Sequence, residues 1–323
     1  MQPTVTGKRS LVHFYLSLFG MFLFYFLMGA MILGIYVNDY HSDHFQTKEY
    51  GLLVMLAAIV FGCIYTVYKL LKSTPSITIT DEYIILSGTA FYWDQLENVS
   101  ISGKNASFLG DKREGVALKF KNQTEQRLID SRYANIAEIK QFIQHQIIEK
   151  ESIPALVEPI DQSEIENQQF VIYKGIQFIN FRAIIMWLFI VPIAISLISN
   201  YNKPGIVIFL LLTAYFLVKI ISWYLYYFEV SDNYLVVRNH NLFWRKDIYR
   251  LSDIGEIVFE MPNKMPGCMR VITKDFNGKL YRAATLSNKK WNALKDDLER
   301  KKIPIRDEFI SSLITSVEFK LFD

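Results

Sequence analysis

Histidines, cysteines, carboxylates and clustered cations are the side chains of this sequence that could do chemistry, and their spacing decides which chemistry. His41 and His44 stand with Asp39 and Asp43 in one short polar stretch and could together offer ligands to a divalent metal. Two histidines on a loop lack the third and fourth protein ligands of a structural zinc site, so the stretch reads as a wet polar turn and no metal or cofactor is expected. Cys63 lies inside an apolar run and Cys268 inside a predicted strand, which makes both of them small buried residues. Two cysteines cannot build a disulfide framework. No nucleophile is spaced with a base and no carboxylates are paired; Gly103, Gly110, Gly115 and Gly267 are isolated instead of forming a phosphate loop. The expectation is a protein without catalytic residues, not an enzyme.

The basic residues say more. From Ser73 to Lys150 nine Lys or Arg stand against ten Asp or Glu, whereas Glu229 to Lys302 holds fifteen against ten, so the later stretch is the basic one. Within it Arg238, His240, Arg245 and Lys246 bracket Leu242, Phe243 and Trp244 in one predicted hairpin. A cation within a Debye length of an anionic membrane contributes about 1 kcal/mol, so this hairpin suits anionic headgroups, with the three apolar residues pressed into the interface. The plain alternative is a solvated turn with Trp244 packed on its own sheet. Farther on, Phe309, Ile310, Leu313, Ile314 and Val317 fall on one helical face of the tail after Pro304. Such a stripe either folds back on the protein or engages a partner protein. Net charge is only +3, which supplies no field drawing the chain to nucleic acid.

The elements that must position these residues begin with four apolar runs. Hydrophobic residues make up 51% of the chain and charged residues 21%, and the apolar excess is concentrated in Leu11 to Val37, Gly51 to Leu71, Ala183 to Ser199 and Gly205 to Phe228. A bilayer core of about 30 Å needs roughly 20 helical residues, which makes each run a predicted membrane span, with Pro192 kinking the third. The first run is longer than the roughly 7 to 15 apolar residues of a signal peptide and lacks its small-residue cleavage site. Short connections, Asn38 to Tyr50 and Asn200 to Pro204, pair the runs into two helical hairpins. Lys8, Arg9, Lys69, Lys72, Lys174, Arg182 and Lys219 lie at one side against Lys48 and Lys203 at the other. That asymmetry predicts a multi-pass protein of the cytoplasmic (inner) membrane with both termini in the cytoplasm. Trp223, Tyr224, Tyr226 and Tyr227 read as an aromatic belt at the inner end of the fourth run.

A polar region follows each hairpin, and the two regions can be laid on one another. Lys69 corresponds to Lys219; Asp81-Glu82-Tyr83 before Ile84-Ile85-Leu86 corresponds to Asp232-Asn233-Tyr234 before Leu235-Val236-Val237; Leu96 falls on Ile254 and Val99 on Ile257. Each region reads as a meander of short strands and then a helix, Asn135 to Glu149 in the first and Asn288 to Lys301 in the second. Glu151 to Gln169, with five acidic residues, no basic one and two prolines, reads as an exposed tether.

The strand-turn-strand of Ile77 to Leu86 leading into Phe91-Tyr92-Trp93-Asp94-Gln95-Leu96, and Phe228 to Val237 leading into Asp253-Ile254, resembles bacterial pleckstrin-homology-like (PH-like) domains of small membrane proteins. In the second region Trp244 comes well before the Asp253-Ile254 step, and Tyr249 stands in the aromatic place. The resemblance implies a membrane α+β protein with four transmembrane helices in two hairpins. Each hairpin would be followed by a PH-like antiparallel β domain capped by a C-terminal helix. The expected boundaries are 1–72 and 183–228 for the hairpins, 73–150 and 229–302 for the β domains, 151–182 for the acidic linker and pre-membrane segment, and 303–323 for the amphipathic tail. The role this implies is a non-enzymatic scaffold or assembly subunit whose β domains bind a protein partner or anionic lipid. The alternative is an ion or solute transporter component built on the duplicated hairpins.

Overall fold

A computed structural model of the chain describes residues 4–39, 46–106, 112–149, 160, 163–166, 168–176, 181–242, 244–261 and 267–309. The chain divides into two units, Met1–Pro154 and Ala155–Asp323, each described by itself.

The first unit opens with β1 (Val5–Thr6), a π turn over Leu11–Tyr15, and the helix pair α1 (Leu16–Asp39) and α2 (Gln46–Lys72). The helices meet at small residues: a Cβ on Gly62 would lie 3.4 Å from the Tyr25 ring, and Thr66 turns its hydroxyl back to the Gly62 carbonyl at 2.9 Å. After α2 the pattern changes from helical spacing to alternation. β2 (Ile77–Ile79), β3 (Tyr83–Leu86) and β4 (Thr89–Tyr92) follow, and the antiparallel sheet runs β1-β2-β3-β4. A second sheet contains β5 (Leu96–Ser100), β6 (Lys104–Ala106), β7 (Lys112–Phe120) and β8 (Gln126–Ile129), with β5 and then β6 along one stretch of β7 after another. Ile77, Ile79, Ile84 and Leu86 alternate inward from one sheet to meet Val116, Leu118 and Phe120 from the other. The helix α3 (Ile136–Phe142), continued by a π turn to Glu149, lays Ile139, Phe142 and Ile143 on that core. Lys140 is buried beside them, its ammonium 2.6 Å from Asp130.

The second unit repeats the plan. A turn of helix α4 (Ser163–Glu166) and β9 (Val171–Tyr173) precede the helices α5 (Phe181–Ser199) and α6 (Pro204–Ser222). β10 (Tyr226–Val230), β11 (Tyr234–Asn239) and β12 (Lys246–Arg250) complete a sheet of order β12-β11-β10-β9. β13 (Ile254–Glu260), β14 (Cys268–Thr273) and β15 (Gly278–Arg282) form the other, and α7 (Asn288–Arg300) buries Trp291, Leu294 and Leu298 against both. β16 (Ile305–Asp307) then joins the edge of β13 in parallel.

Details recur at matched positions. Thr80 and Ser231 each receive the amide of the tyrosine three residues on, Tyr83 and Tyr234, through the side-chain hydroxyl. Trp93–Gln95 and Leu251–Asp253 are single 3-10 turns, and β5 and β13 each carry a register irregularity immediately after their first residue, at Leu96/Asn98 and Ile254/Glu256. Leu96 thus matches Ile254 and Val99 matches Ile257, as the sequence comparison expects. Tyr249 sits opposite Leu235 as the aromatic Phe91 sits opposite Ile84, and Leu251 takes the place of Trp93. Trp93 spends its indole N–H on the Thr80 carbonyl at 2.8 Å, a bond leucine cannot make.

Among the strands that fall where none is expected are β1 and β9. β1 lies in the segment assigned to the first hairpin, and β9 follows directly on the stretch assigned to an exposed tether; each pairs antiparallel with the strand on the far side of its helix pair, Val5 with Ile79 and Val171 with Val230. A glycine follows each strand closely. A Cβ on Gly7 would stand 2.8 Å from the Ile77 Cβ, and one on Gly175 would stand 1.9 Å from the Thr285 carbonyl oxygen.

The expectation of four transmembrane helices in a multi-pass inner-membrane protein is corrected. Helices form at all four places, but among the described residues only Val54–Lys72 is long and apolar enough to cross a membrane. Shorter apolar stretches among the described residues are Ile190–Ser199 in α5, Pro204–Lys219 in α6 and Leu18–Ala30 in α1. The fold is α+β, rich in antiparallel sheet, and the assignment of both termini to the cytoplasm loses its basis with the four spans. The outward helix faces nevertheless carry large apolar side chains, among them Phe26, Phe61, Leu188 and Phe216.

The close approach at Gly175 predicts that Gly175→Ala destabilises the second unit by about 3 kcal/mol, because a methyl there overlaps backbone that cannot move aside. Gly205→Ala, which meets nothing within 4 Å, is the control and stays neutral or stabilises by about 1 kcal/mol. Urea unfolding of the full chain in detergent reads both; equal effects would refute the packing assignment.

Candidate functional site

The basic hairpin of the second unit is built onto the end of α6. Asn239, the last residue of β11, is 1% exposed and sends its carboxamide N–H to the Ser222 carbonyl at 2.6 Å. Its carbonyl oxygen accepts the backbone amides of Asn241 and Leu242, both at 3.0 Å, which bends the chain into the turn. Asn241 adds a bond to the Ser222 hydroxyl at 3.0 Å, and the His240 amide reaches the Leu225 carbonyl at 2.9 Å. Asparagine suits this place because its short amide mimics a backbone turn while closing a buried carbonyl. The turn carrying Trp244, Arg245 and Lys246 is therefore fixed to the helix end that carries Trp223.

The five residues expected at a lipid surface separate here. Trp244 is 67% exposed, Trp223 is 54% exposed, and Arg245 and Lys246 are exposed beside Trp244. Arg238 is spent within its own sheet, its guanidinium donating to Glu229 at 2.9 Å. His240 is no cation: it packs on the Tyr227 ring at 4.8 Å, and burial, with the Lys174 ammonium near, pushes its pKa down to about 4. Two cations that sequence reasoning did not place at this surface join it. Lys174 lies over the Tyr227 ring at 5.5 Å and Arg282 over the Tyr224 ring at 5.6 Å. Only the topology reveals them, since β9 is brought there by pairing with β10 and β15 by Ala283 bridging Leu225. Phe243 lies outside the described residues.

The expected partner-binding stripe divides as well. Phe309 packs between Phe259 and Trp291, with ring centroids 6.0 and 5.7 Å away, and so belongs to the core of its own unit. Ile310, Leu313, Ile314 and Val317 lie outside the described residues, as do the metal candidates His41 and His44. Among the described residues no three His, Cys, Asp or Glu side chains gather as a metal would require, and Cys63 and Cys268 are free thiols. The buried phenols do not suit proton transfer at neutral pH. Burial raises the pKa of Tyr249 to about 12, that of Tyr173 to about 12, and drives Tyr281 higher still.

A second polar feature lies at the opposite end of the β11–β12 pair. Tyr234 and Arg250 are cross-strand partners there, and both converge on Glu164 of α4: the phenol donates to one carboxylate oxygen, and the guanidinium stands 3.5 Å from each. The segment read as a free tether is thus attached, at this point, to the second unit.

Asn239→Ala, which strips three hydrogen bonds from a buried site, is expected to cost about 3 kcal/mol in urea unfolding. His240 supplies a pH test. Its folded pKa lies below the ordinary value of 6.5, so the unfolded chain takes up the proton first; stability is whole above about pH 6.5 and falls as pH drops toward 4. His240→Gln should lose less of its unfolding temperature than the parent between about pH 7 and pH 5, and an identical slope would refute the buried neutral imidazole. No protein-family model, no curated protein and no solved structure matches this chain.

Proposed function

We propose that the chain is a non-enzymatic scaffold held at a lipid bilayer through the Val54–Lys72 segment and presenting two β modules of PH-like architecture, the second of which meets anionic headgroups. The attachment rests on a helix that is apolar along its length and only 6% buried within the protein. The module reading is supported by a plan the two units share: a four-stranded sheet, a 3-10 turn, an irregular strand opening the second sheet, and a closing helix. The observation that carries the lipid reading is the fixed turn at the foot of α6. It holds the Trp244 indole in solvent beside Arg245 and Lys246. An exposed indole next to cations matches the boundary between hydrocarbon and charged headgroups, where an amphipathic ring lies at the interface and each cation contributes about 1 kcal/mol. Lys174 and Arg282 add charge to the same face. Arg238 and His240 take structural parts in this scheme, the one in an ion pair and the other as a neutral stacked ring.

Full-length chain in nanodiscs of phosphatidylcholine, with or without phosphatidylglycerol, tests the reading. Amide exchange in residues 239–250 is expected to slow several-fold when the anionic lipid is present, and the Arg245→Gln/Lys246→Gln variant is expected to lose that response while its unfolding midpoint holds. Exchange that is indifferent to lipid charge would overturn it.

A further inference from the structure

The two units share a backbone plan but differ where Tyr234 meets Arg250. In the first unit the matched cross-strand pair is Tyr83 and Tyr92, two rings edge to face at 5.9 Å, with a tyrosine in the arginine's place. In the second, a phenol and a guanidinium open onto a groove of about 550 Å3 whose walls include Glu164 and Gln168 as well as Asn233, Leu251 and Ser252. What occupies them is a carboxylate, that of Glu164, from a stretch with five acidic residues and no basic one. The phenol donates directly to it, whereas the arginine contacts are 3.5 Å long and the Glu164 side chain is 42% exposed. A phenol donor beside a planar guanidinium is a pair suited to a carboxylate, since both donate and neither competes for the proton. The groove's own acid, Asp232, is matched by the Lys301 ammonium at 2.8 Å.

We propose that the Tyr234–Arg250 groove is a receptor site for an acidic peptide segment of a partner protein, and that the chain's own Ser163–Glu166 turn occupies it in cis. The site lies at the end of β11 and β12 opposite the lipid-facing turn and does not depend on the lipid reading. The acidic stretch then acts as a tethered competitor: a partner with a stronger acidic segment displaces it and frees the linker.

The experiment uses full-length chain in detergent and a fluorescent peptide of residues 160–169 as the probe, with fluorescence anisotropy as the readout. Removing the tethered competitor raises the competent fraction, so Glu164→Gln is expected to bind the peptide about tenfold more tightly than the parent. Adding Arg250→Gln to that variant is expected to abolish binding, as is replacing the peptide's acidic residues with their amides. Unfolding midpoints of both variants separate lost binding from lost fold. Equal binding by parent and Glu164→Gln, no binding by Glu164→Gln, or undiminished binding by the double variant each overturns the proposal.

Discussion

The structure depends on one pairing made twice: the strand that precedes each helix pair is hydrogen-bonded to the strand that follows it. Both ends of α1–α2 leave from the sheet that joins Val5 to Ile79, and both ends of α5–α6 leave from the sheet that joins Val171 to Val230. Further bonds thicken each root. The Lys8 carbonyl accepts the Ala134 amide at 2.7 Å, Asn135 reaches Thr6 at 2.9 Å, and the Tyr133 hydroxyl donates to Pro75 at 2.7 Å. In the second unit Tyr224 accepts from Ala284 at 2.9 Å, and Tyr173 donates to Asp297 on α7 at 2.9 Å. Helices rooted this way keep a set direction relative to their own sheet, because two backbone exits and a ladder of bonds leave no single hinge.

On this common frame the copies differ at sheet edges and at one core position, Leu251, which is 7% exposed. Arg250 replaces Tyr92, Leu251 replaces Trp93, and the strand Ile305–Asp307 lies along β13. None of these alters the alternating core, in which Ile77, Ile79, Ile84 and Leu86 answer to Phe228, Val230, Leu235 and Val237. Burial fixes which face each strand turns inward, and polar edge residues are free to diverge. Two copies of one plan can in this way carry unlike surfaces.

Much of the fold was legible in the sequence because periodicity is local. Alternation in Ile77 to Leu86 and in Phe228 to Val237, helical spacing in Asn288 to Lys301, and the matched Asp81-Glu82-Tyr83 and Asp232-Asn233-Tyr234 steps needed no tertiary knowledge. β1 was not legible, because two residues carry no period, and its partner is seventy-odd positions away. β16 was hidden for a similar reason: Ile305–Asp307 reads as tail until the edge of β13 is there to receive it. The span count was not borne out: long apolar runs were visible, yet among the described residues only Val54–Lys72 is long and apolar enough to cross a membrane. At the site, the exposure of Trp244, Arg245 and Lys246 was foreseeable from composition, whereas the neutrality of His240 and the pairing of Arg238 with Glu229 are set by neighbours that only the folded strands supply.

The rooting of each helix pair also orders events during biosynthesis. The outer strand of each sheet is made first and its partner only after the helix pair, so Val5 must wait on the ribosome's progress past Ile79, and Val171 on its progress past Val230. Closing so long a loop is entropically costly unless the intervening helices have already collapsed on one another and brought its ends together. A sealed first sheet is therefore a record that the helices between its strands have already come together.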